Sequence, residues 1–318
     1  MTGEVGRVSP APVTGPPAGS RLVEFPGDGM TLRGYLFEHP GPRRPVVVMS
    51  HGLSATITGM TADHYAAVIH AAGLQVLLYD HPHFGLSGGE PRQVIGRWIQ
   101  MRGYRDAIDF AASLPSVDPE RVAIWGDSYG AGVALGVAAF DDRVRATVVQ
   151  VPAVGRSLPP ADPDGAAFAL HRAVYRDGPP AGVAEETSLE LPVVSDDQDA
   201  RPSILEPITA HRWFTEYGGR PGTHWENRAS GRGLALPVAF HPAIAVPHLR
   251  GPSLWCIAED DEMPGAEPSI ALAAYERAPE PKELLTIDGG HFGLLYHPSP
   301  LFDRVAAAQA DFLVRRLR

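Results

Sequence analysis

Short runs of apolar residues alternate with longer stretches of helical periodicity along most of this chain. Runs such as Pro45–Ser50 and Leu74–Tyr79 are apolar at successive positions, which indicates strands buried on both faces. A strand of this kind followed by a helix is typical of a mostly parallel sheet with helices on both sides. The sequence therefore predicts an α/β fold.

The other predicted elements follow the same alternation. The predicted strands are Val122–Trp125, Ala146–Val151, Ser253–Ala258 and Leu284–Ile287, after a hairpin of Arg21–Phe25 and Thr31–Phe37. The predicted helices are Ala62–Ala72, Trp98–Leu114, Tyr129–Phe140, Pro268–Ala278 and Phe302–Leu317. In the hairpin, Asp28-Gly29 supplies the positive φ that a tight turn needs.

The alternation stops after the strand that ends at Val151 and resumes near residue 250. We therefore expect one core domain made of residues 21–151 and 251–318, with residues 152–250 inserted as a lid on the ligand-binding side of the sheet. Residues 1–20 contain four prolines and four glycines, and we expect a flexible N-terminal tail.

Composition narrows the classes of function. The net charge is −10, and the absence of a basic run argues against a nucleic-acid partner. One cysteine excludes an internal disulfide. We expect no membrane association, because no apolar run reaches the roughly 18 residues that a span needs. The N-terminus lacks a signal-peptide pattern, which favours the cytoplasm. The oligomeric state is left open, a homodimer being one alternative.

The strongest chemical signal is Gly126-Asp127-Ser128-Tyr129-Gly130, between a predicted strand and a helix of small residues. A sharp strand-to-helix turn exposes its middle side chain only if the flanking positions are glycine or similarly small. The start of the helix also favours negative charge at this point. We predict Ser128 to be a nucleophile.

A serine nucleophile needs a base, and the base needs a carboxylate. His291 follows the last predicted strand, in Asp288-Gly289-Gly290-His291, and is predicted to be the base. The acid is predicted in the loop after Cys256, where Asp261 is favoured over Asp260 and neither is excluded. The chain order Ser, Asp, His fits this architecture.

The oxyanion of an acyl-transfer intermediate needs two N–H donors. The backbone N–H of Tyr129, directly after the nucleophile, is predicted to be one. The loop that follows Pro45–Ser50 begins His51-Gly52-Leu53, and the N–H of Leu53 is predicted to be the other. The side chain of His51 is expected to order this loop.

Several stretches carry a family resemblance: Met49-Ser50-His51-Gly52, Phe84-Gly85-Leu86-Ser87-Gly88-Gly89-Glu90-Pro91-Arg92, Tyr104-Arg105-Asp106-Ala107, Gly126–Gly132, Gln150-Val151-Pro152 and the Asp261 and His291 loops. With them the chain resembles the α/β-hydrolase superfamily, in the branch of dienelactone-hydrolase-like and YcjY-type hydrolases and polyketide acyltransferases. The resemblance covers residues 21–152 and 250–318. It implies an α/β-hydrolase fold with an inserted cap.

Two departures from the family pattern leave questions open. Asp80-His81-Pro82-His83 stands where the family usually has Asp-x-Arg. The loop that contains Asp260 and Asp261 is one residue shorter than usual before Pro264, so the choice between these two aspartates stays open. His81 and His83 form an H-x-H pair that could bind a metal, but no further ligands lie nearby in sequence and no metal is expected. We expect His81 and His83 either to line the mouth of the substrate pocket, together with His51, or to cap backbone groups.

The inserted segment carries four large aromatic residues, Trp213, Phe214, Tyr217 and Trp225. They could form an apolar wall of the substrate pocket over Ser128 or the insertion's own core, and the sequence favours neither.

We expect a cofactor-independent serine hydrolase that cleaves an ester, thioester, lactone or amide of a small to medium, largely apolar substrate. One alternative is an acyltransferase or cyclising enzyme that uses the same acyl-enzyme. Another is a binding module without catalytic activity.

Overall fold

A computed structural model describes residues 11–177, 189–231 and 239–318. Its strands are β1 (Ser20–Gly27), β2 (Met30–Phe37), β3 (Arg44–Ser50), β4 (Gln75–Tyr79), β5 (Val94–Ile95), β6 (Val117–Asp127), β7 (Val144–Gln150), β8 (Ser230–Gly231), β9 (Ser253–Ala258) and β10 (Lys282–Ile287). Its α-helices are α1 (Ala62–Ala71), α2 (Arg97–Ser113), α3 (Ser128–Phe140), α4 (Ala166–Asp177), α5 (Ile208–Tyr217), α6 (Pro242–Ala245), α7 (Pro268–Arg277) and α8 (Pro300–Arg316).

In the described residues, eight strands form the main sheet, in the order β1-β2-β4-β3-β6-β7-β9-β10. The pairs β1–β2 and β2–β4 are antiparallel, and the remaining neighbours are parallel. The chain leaves β3 toward β4 on one side and reaches β6 on the other, so the order reverses there. Ligands of open α/β sheets bind at such a reversal, beyond the carboxyl ends of the strands. The predicted α/β fold is confirmed.

Both faces of the sheet are buried, which explains the consecutive apolar residues. In β3, Val47 and Met49 belong to the apolar core that contains residues of α1 and α8, while Val46 and Val48 belong to the core that contains residues of α2, α3 and α7. Successive side chains of a strand point to opposite faces. The middle positions of such a strand, Val46–Met49 in β3, are therefore apolar in succession.

The described part of the N-terminal segment contacts the inserted segment. The backbone N–H of Val13 donates to the carbonyl of Pro221, 3.1 Å away, and Arg220 donates to the carbonyl of Ala11. Ser20 belongs to β1. The flexible tail stays a prediction, and residues 1–10 lie outside the described residues.

The segment between β7 and β9 contains α4, α5, β8 and α6. Of the predicted insertion 152–250, residues 178–188 and 232–238 lie outside the described residues. A two-stranded parallel sheet joins this segment to the core, because β8 pairs with β5. The sequence analysis did not predict this sheet, since two-residue strands show no periodicity.

Cys256 is buried in β9, and burial raises the pKa of its thiol to about 12. Within the described residues, no helix combines the length and the apolar character that crossing a membrane requires.

The antiparallel pair β2–β4 brings Gly34 opposite Tyr79, and this close approach of the two strands can be tested. A Cβ atom at Gly34 would lie 2.8 Å from Cα of Tyr79 and 2.5 Å from the carbonyl oxygen of Leu78, both backbone atoms that cannot rotate away. We predict that Gly34→Ala lowers the free energy of unfolding by roughly 1–3 kcal/mol. Urea-induced unfolding followed by circular dichroism measures this change.

The matched control is Gly15→Ala, where a Cβ atom would meet nothing within 4 Å. We expect it to change the free energy of unfolding by less than about 0.5 kcal/mol. Equal stabilities of the two variants would contradict the close approach of β2 and β4.

Candidate active site

The turn from β6 into α3 places Ser128 at the carboxyl edge of the sheet. Ser128 has φ 53°, in the left-handed region that L-residues rarely adopt. A Cβ atom at Gly126 would lie 2.5 Å from the carbonyl oxygen of Gly130, and one at Gly130 would clash with the carbonyl oxygen of His51. Glycine is therefore required at both flanking positions for the strand and the helix to meet at this angle.

His291 joins Ser128 to Asp261 in one hydrogen-bonded chain. Its Nε2 lies 2.9 Å from the Oγ of Ser128, and its Nδ1 lies 2.9 and 2.8 Å from the two carboxylate oxygens of Asp261. A carboxylate accepts hydrogen bonds, so Nδ1 carries the proton and Nε2 is free to accept from the serine hydroxyl. The side chains of His291 and Asp261 are 3% and 1% exposed.

The structure also distinguishes the two candidate acids. Asp260 is exposed, and its backbone N–H donates to the carbonyl of Gly289, 3.1 Å away. Asp261 is buried and faces His291. The structure therefore brings together Ser128, His291 and Asp261, and leaves Asp260 outside this group.

Glu262 is a residue beside the site that the sequence analysis did not single out. One of its carboxylate oxygens accepts the backbone N–H of His291 at 2.9 Å, and the other accepts the hydroxyl of Thr209, which lies on α5. The loop that carries the imidazole is thus tied to a helix of the inserted segment. A run of four acidic residues gives no sign of which one makes such a contact.

Two backbone N–H groups lie beside the serine. Leu53 lines the cavity next to Ser128, and Tyr129 is the first residue after it. In the described part of the chain, neither N–H donates a hydrogen bond. Gly52 approaches the nucleophile closely, since a Cβ atom there would lie 3.2 Å from Cβ of Ser128. Leu53 thus lies beside the same cavity as Ser128, and the role of the two N–H groups as oxyanion donors stays a prediction.

The loop that bears Leu53 is held by a buried pair, His51 and Asp80. The Nδ1–H of His51 donates to the carbonyl of Gly52 at 2.8 Å, and its Nε2 accepts the backbone N–H of His81 at 3.2 Å. Burial lowers the pKa of His51 to about 4. His51 is therefore neutral near pH 7 and orders the loop as expected, away from the cavity.

Asp80 lies beneath the same loop. Burial raises its pKa to about 7, although it accepts the N–H groups of Ile57 and Leu86 at 2.9 and 2.8 Å. Its Oδ1 lies 3.5 Å from Nε2 of His51. At pH 5–6 both side chains are neutral, so this contact is not an ion pair.

None of His51, His81 and His83 lines the described cavity beside Ser128, and their place in the substrate pocket stays a prediction. The ring of His81 is fully buried against the rings of Tyr79 and Tyr104, and His83 Nδ1 bonds to the carbonyl of Pro91 at 2.8 Å. His83 instead takes the backbone-capping role. Among the described residues, no group of three or more His, Cys, Asp or Glu side chains could hold a metal ion.

A small, mostly apolar cavity of about 30 Å³ adjoins Ser128 and His291. Its lining residues come from the core loops and from the inserted segment: Gly52, Leu53, Ala55, Asp127, Ser128, Leu205, Trp213, Phe214, Met263, His291, Phe292 and Leu295. The inserted segment thus contributes part of the wall over the serine.

The four aromatic residues of the insertion divide between the two expected roles. Trp213 and Phe214 line the cavity, as predicted for an apolar wall. Tyr217 stacks behind Trp213, and Trp225 packs behind Phe214 with ring centres 5.5 Å apart. Trp225 also borders a polar surface groove that contains Arg92, and its place in the substrate pocket stays a prediction.

Asp127 is a lining residue to which the sequence analysis assigned no role. It is 6% exposed and borders the cavity together with Ser128 and His291. Burial raises the pKa of its carboxyl group to about 7. A desolvated acid next to the serine is a candidate for ligand contact.

The chain is similar to proteins of known family. Residues 41–216 match the family described as serine aminopeptidase S33, Hydrolase_4. The chain is 26% identical over 314 residues to the quorum-quenching protein AidA of Acinetobacter baumannii, covering 92% of this chain and 94% of the relative. It is 30% identical over 300 residues to the polyketide transferase grgF of Penicillium sp., covering 93% and 96%.

Among solved structures, the chain is similar to the crystal structure of the α/β hydrolase GrgF from Penicillium sp. sh18. The TM-score is 0.72 at 28% identity, and the match covers 94% of this chain and 99% of that structure.

The buried carboxyl group of Asp80 predicts a pH dependence of stability. Its pKa is about 7 in the fold and 3.8 ordinarily, so the native state holds a proton that the unfolded chain releases from about pH 4 upward. Its contribution to the free energy of unfolding therefore falls as pH rises from about 4 to 7, and stays low above that.

We predict that the difference in free energy of unfolding between wild type and Asp80→Asn falls by roughly 3 kcal/mol across this window. Urea unfolding at a series of pH values measures it. The exposed Asp199 provides the control, because Asp199→Asn leaves the pH profile of the wild type unchanged. A difference that stays constant with pH would show that Asp80 titrates normally.

Proposed function

Because the chain belongs to the α/β-hydrolase family Hydrolase_4, described as serine aminopeptidase S33, we propose that it cleaves an ester, thioester, lactone or amide through an acyl-enzyme on Ser128. The observation that carries this proposal is the continuous hydrogen-bonded chain from Ser128 through His291 to Asp261, with contacts of 2.8–2.9 Å.

Acylation begins with the serine hydroxyl. As Oγ of Ser128 attacks the substrate carbonyl carbon, Nε2 of His291 takes its proton. Asp261 holds the imidazole in the Nδ1–H tautomer and stabilises the imidazolium that forms. The imidazolium then gives its proton to the leaving group as the tetrahedral intermediate collapses. Deacylation repeats these steps with water, which loses a proton to His291 and releases the acid.

The negative charge on the tetrahedral oxygen needs donors that are in place before the reaction. We assign this role to the N–H groups of Leu53 and Tyr129. Support comes from their positions beside Ser128 and from the start of α3 at the same point, where the helix dipole favours negative charge.

The acyl group is proposed to occupy the apolar cavity under α5. Trp213, Phe214 and Phe292 form its aromatic wall, which favours a short, largely apolar acyl chain. In this proposal the inserted segment acts as the lid. The hydrogen-bonded link from α5 through Glu262 to the backbone of His291 would couple lid position to the base.

An acyltransferase is the second candidate, favoured by the similarity to the polyketide transferase grgF. The same acyl-enzyme would then pass to an alcohol or amine instead of water. Turnover of a p-nitrophenyl ester with increasing concentrations of a primary alcohol separates the two. A transferase gives mainly the new ester, whereas a hydrolase gives mainly the free acid.

We predict that a fluorophosphonate labels wild-type protein at one mole per mole and that Ser128→Ala abolishes labelling. Intact-mass spectrometry measures the stoichiometry. Labelling that persists in Ser128→Ala would contradict the assigned nucleophile.

The two adjacent aspartates give a matched pair of variants for the base–acid contact. We predict that Asp261→Asn lowers kcat by roughly 10⁴-fold, because the imidazole loses the partner that fixes its tautomer. The exposed Asp260→Asn keeps kcat within about twofold of the wild type. Initial rates with a p-nitrophenyl ester measure both effects. A larger loss in Asp260→Asn than in Asp261→Asn would reverse the assignment.

A further inference from the structure

One helix of the inserted segment, α5, holds the loop that carries the proposed base. His291 is followed by Phe292 and then by a short 3-10 helix, Gly293–Leu295. Side chains of α5 reach this loop at residues 292, 295 and 297, and reach residue 291 through Glu262. The base therefore lies in a loop whose position depends on the insertion.

Tyr217, the last residue of α5, binds the far end of this loop. Its hydroxyl accepts the backbone N–H of His297 at 2.9 Å and donates to the carbonyl of the same residue, 3.1 Å away. Tyr217 is a buried residue, so the loss of its hydroxyl would leave two backbone groups of His297 without these bonds.

Trp213, one turn earlier, contacts the loop in two ways. Its Nε1–H donates to the carbonyl of Leu295 at 3.1 Å, and its indole stacks on the ring of Phe292 with ring centres 5.3 Å apart. Phe292 directly follows His291. Trp213 therefore fixes the chain on both sides of the short helix that comes after the base.

Thr209, a further turn earlier, is linked to His291 itself. Its hydroxyl donates to the carboxylate of Glu262, whose other oxygen accepts the backbone N–H of His291 at 2.9 Å. Thr209, Trp213 and Tyr217 are spaced four residues apart and so lie on one face of the helix. A single face of α5 thus contacts the loop from its first residue to its last.

The core binds the middle of the same loop. The hydroxyls of Thr61 and Tyr65, at the start of α1, donate to the carbonyls of Leu295 and Leu294 at 2.7 and 2.8 Å. These contacts fix the short helix, whereas the contacts at residues 291 and 297 involve α5. The two helices together determine where the imidazole lies.

We propose that α5 positions the base, with Thr209 and Tyr217 as positioning residues that keep Nε2 of His291 within hydrogen-bond distance of the Ser128 hydroxyl. This inference rests on the proposed function. The two atoms are 2.9 Å apart, and a displacement of about 1 Å in a catalytic group can lower turnover by roughly 100-fold. The inserted segment then completes the catalytic site in addition to covering it.

The variant Tyr217→Phe tests the far end of the loop, because it removes the hydroxyl and keeps the ring that stacks on Trp213. We expect kcat for p-nitrophenyl acetate, per active site labelled to completion with a fluorophosphonate, to fall roughly 5- to 20-fold. KM stays within about twofold of the wild type, because Tyr217 does not line the described cavity. The matched control Tyr275→Phe, on α7 in the other apolar core, keeps the wild-type values.

A pair of substitutions at Thr209 tests the link to His291. Thr209→Val replaces the hydroxyl by a methyl group of similar size, and we expect kcat to fall roughly 3- to 10-fold. Thr209→Ser keeps a hydroxyl and restores most of that loss. The control on the same helix is Thr215→Val, whose exposed hydroxyl bonds to the carbonyl of His211 at 2.6 Å, and we expect it to keep the wild-type kcat.

The outcomes distinguish positioning from a purely structural role. If the variants lower only the melting temperature, or raise KM while kcat per active site stays unchanged, α5 stabilises the fold or forms the wall and the inference is wrong. It is equally wrong if Thr209→Ser is as slow as Thr209→Val. Should Tyr217→Phe fail to fold, the Thr209 pair decides alone. A wild type that neither labels nor turns over overturns the proposed function and this inference with it.

Discussion

The sharp turn at Ser128 is the constraint on which the site depends. The serine adopts a left-handed backbone conformation, which costs free energy that the surrounding packing must offset. That packing requires Gly126 and Gly130, where β6, α3 and the backbone of His51 approach too closely for any side chain. As a result, the hydroxyl of Ser128 projects from the end of the sheet at the N-terminus of α3, where His291 can contact it.

Parallel strands explain how those distant residues meet. The loops after β3, β6, β9 and β10 all leave the same edge of the sheet, since parallel strands end on one side. They carry Leu53, Ser128, Asp261 and His291 respectively, so residues separated by up to 238 positions form one site. The antiparallel β1–β2 hairpin lies at the far edge and contributes no lining residue to the described cavity.

Most of the core and the central chemistry could be predicted because they follow from local patterns. Apolar runs predicted the long strands, and the glycine-flanked serine predicted the turn. The choice between Asp260 and Asp261 could not be made, because it depends on how one loop turns after β9. His81 was expected near the pocket since it follows a strand end, but tyrosine rings from β4 and α2 bury it. The sequence analysis missed the helices of the insertion, although Ala210, Trp213, Phe214 and Tyr217 of α5 follow the i, i+3, i+4, i+7 spacing of a buried helix face.

Four carboxyl groups near one serine show that partners, more than residue type, decide what an acid does. Asp261 receives the imidazole N–H, and Glu262 receives the backbone N–H of the same histidine and a hydroxyl from α5. Asp80 is equally buried, but its two backbone donors fix loops and leave it away from the cavity. Asp127 is 6% exposed, and burial raises its pKa to about 7 although it directly precedes the serine. The role of each acid follows from the groups around it, because a carboxylate accepts hydrogen bonds only from the donors that the fold brings to it.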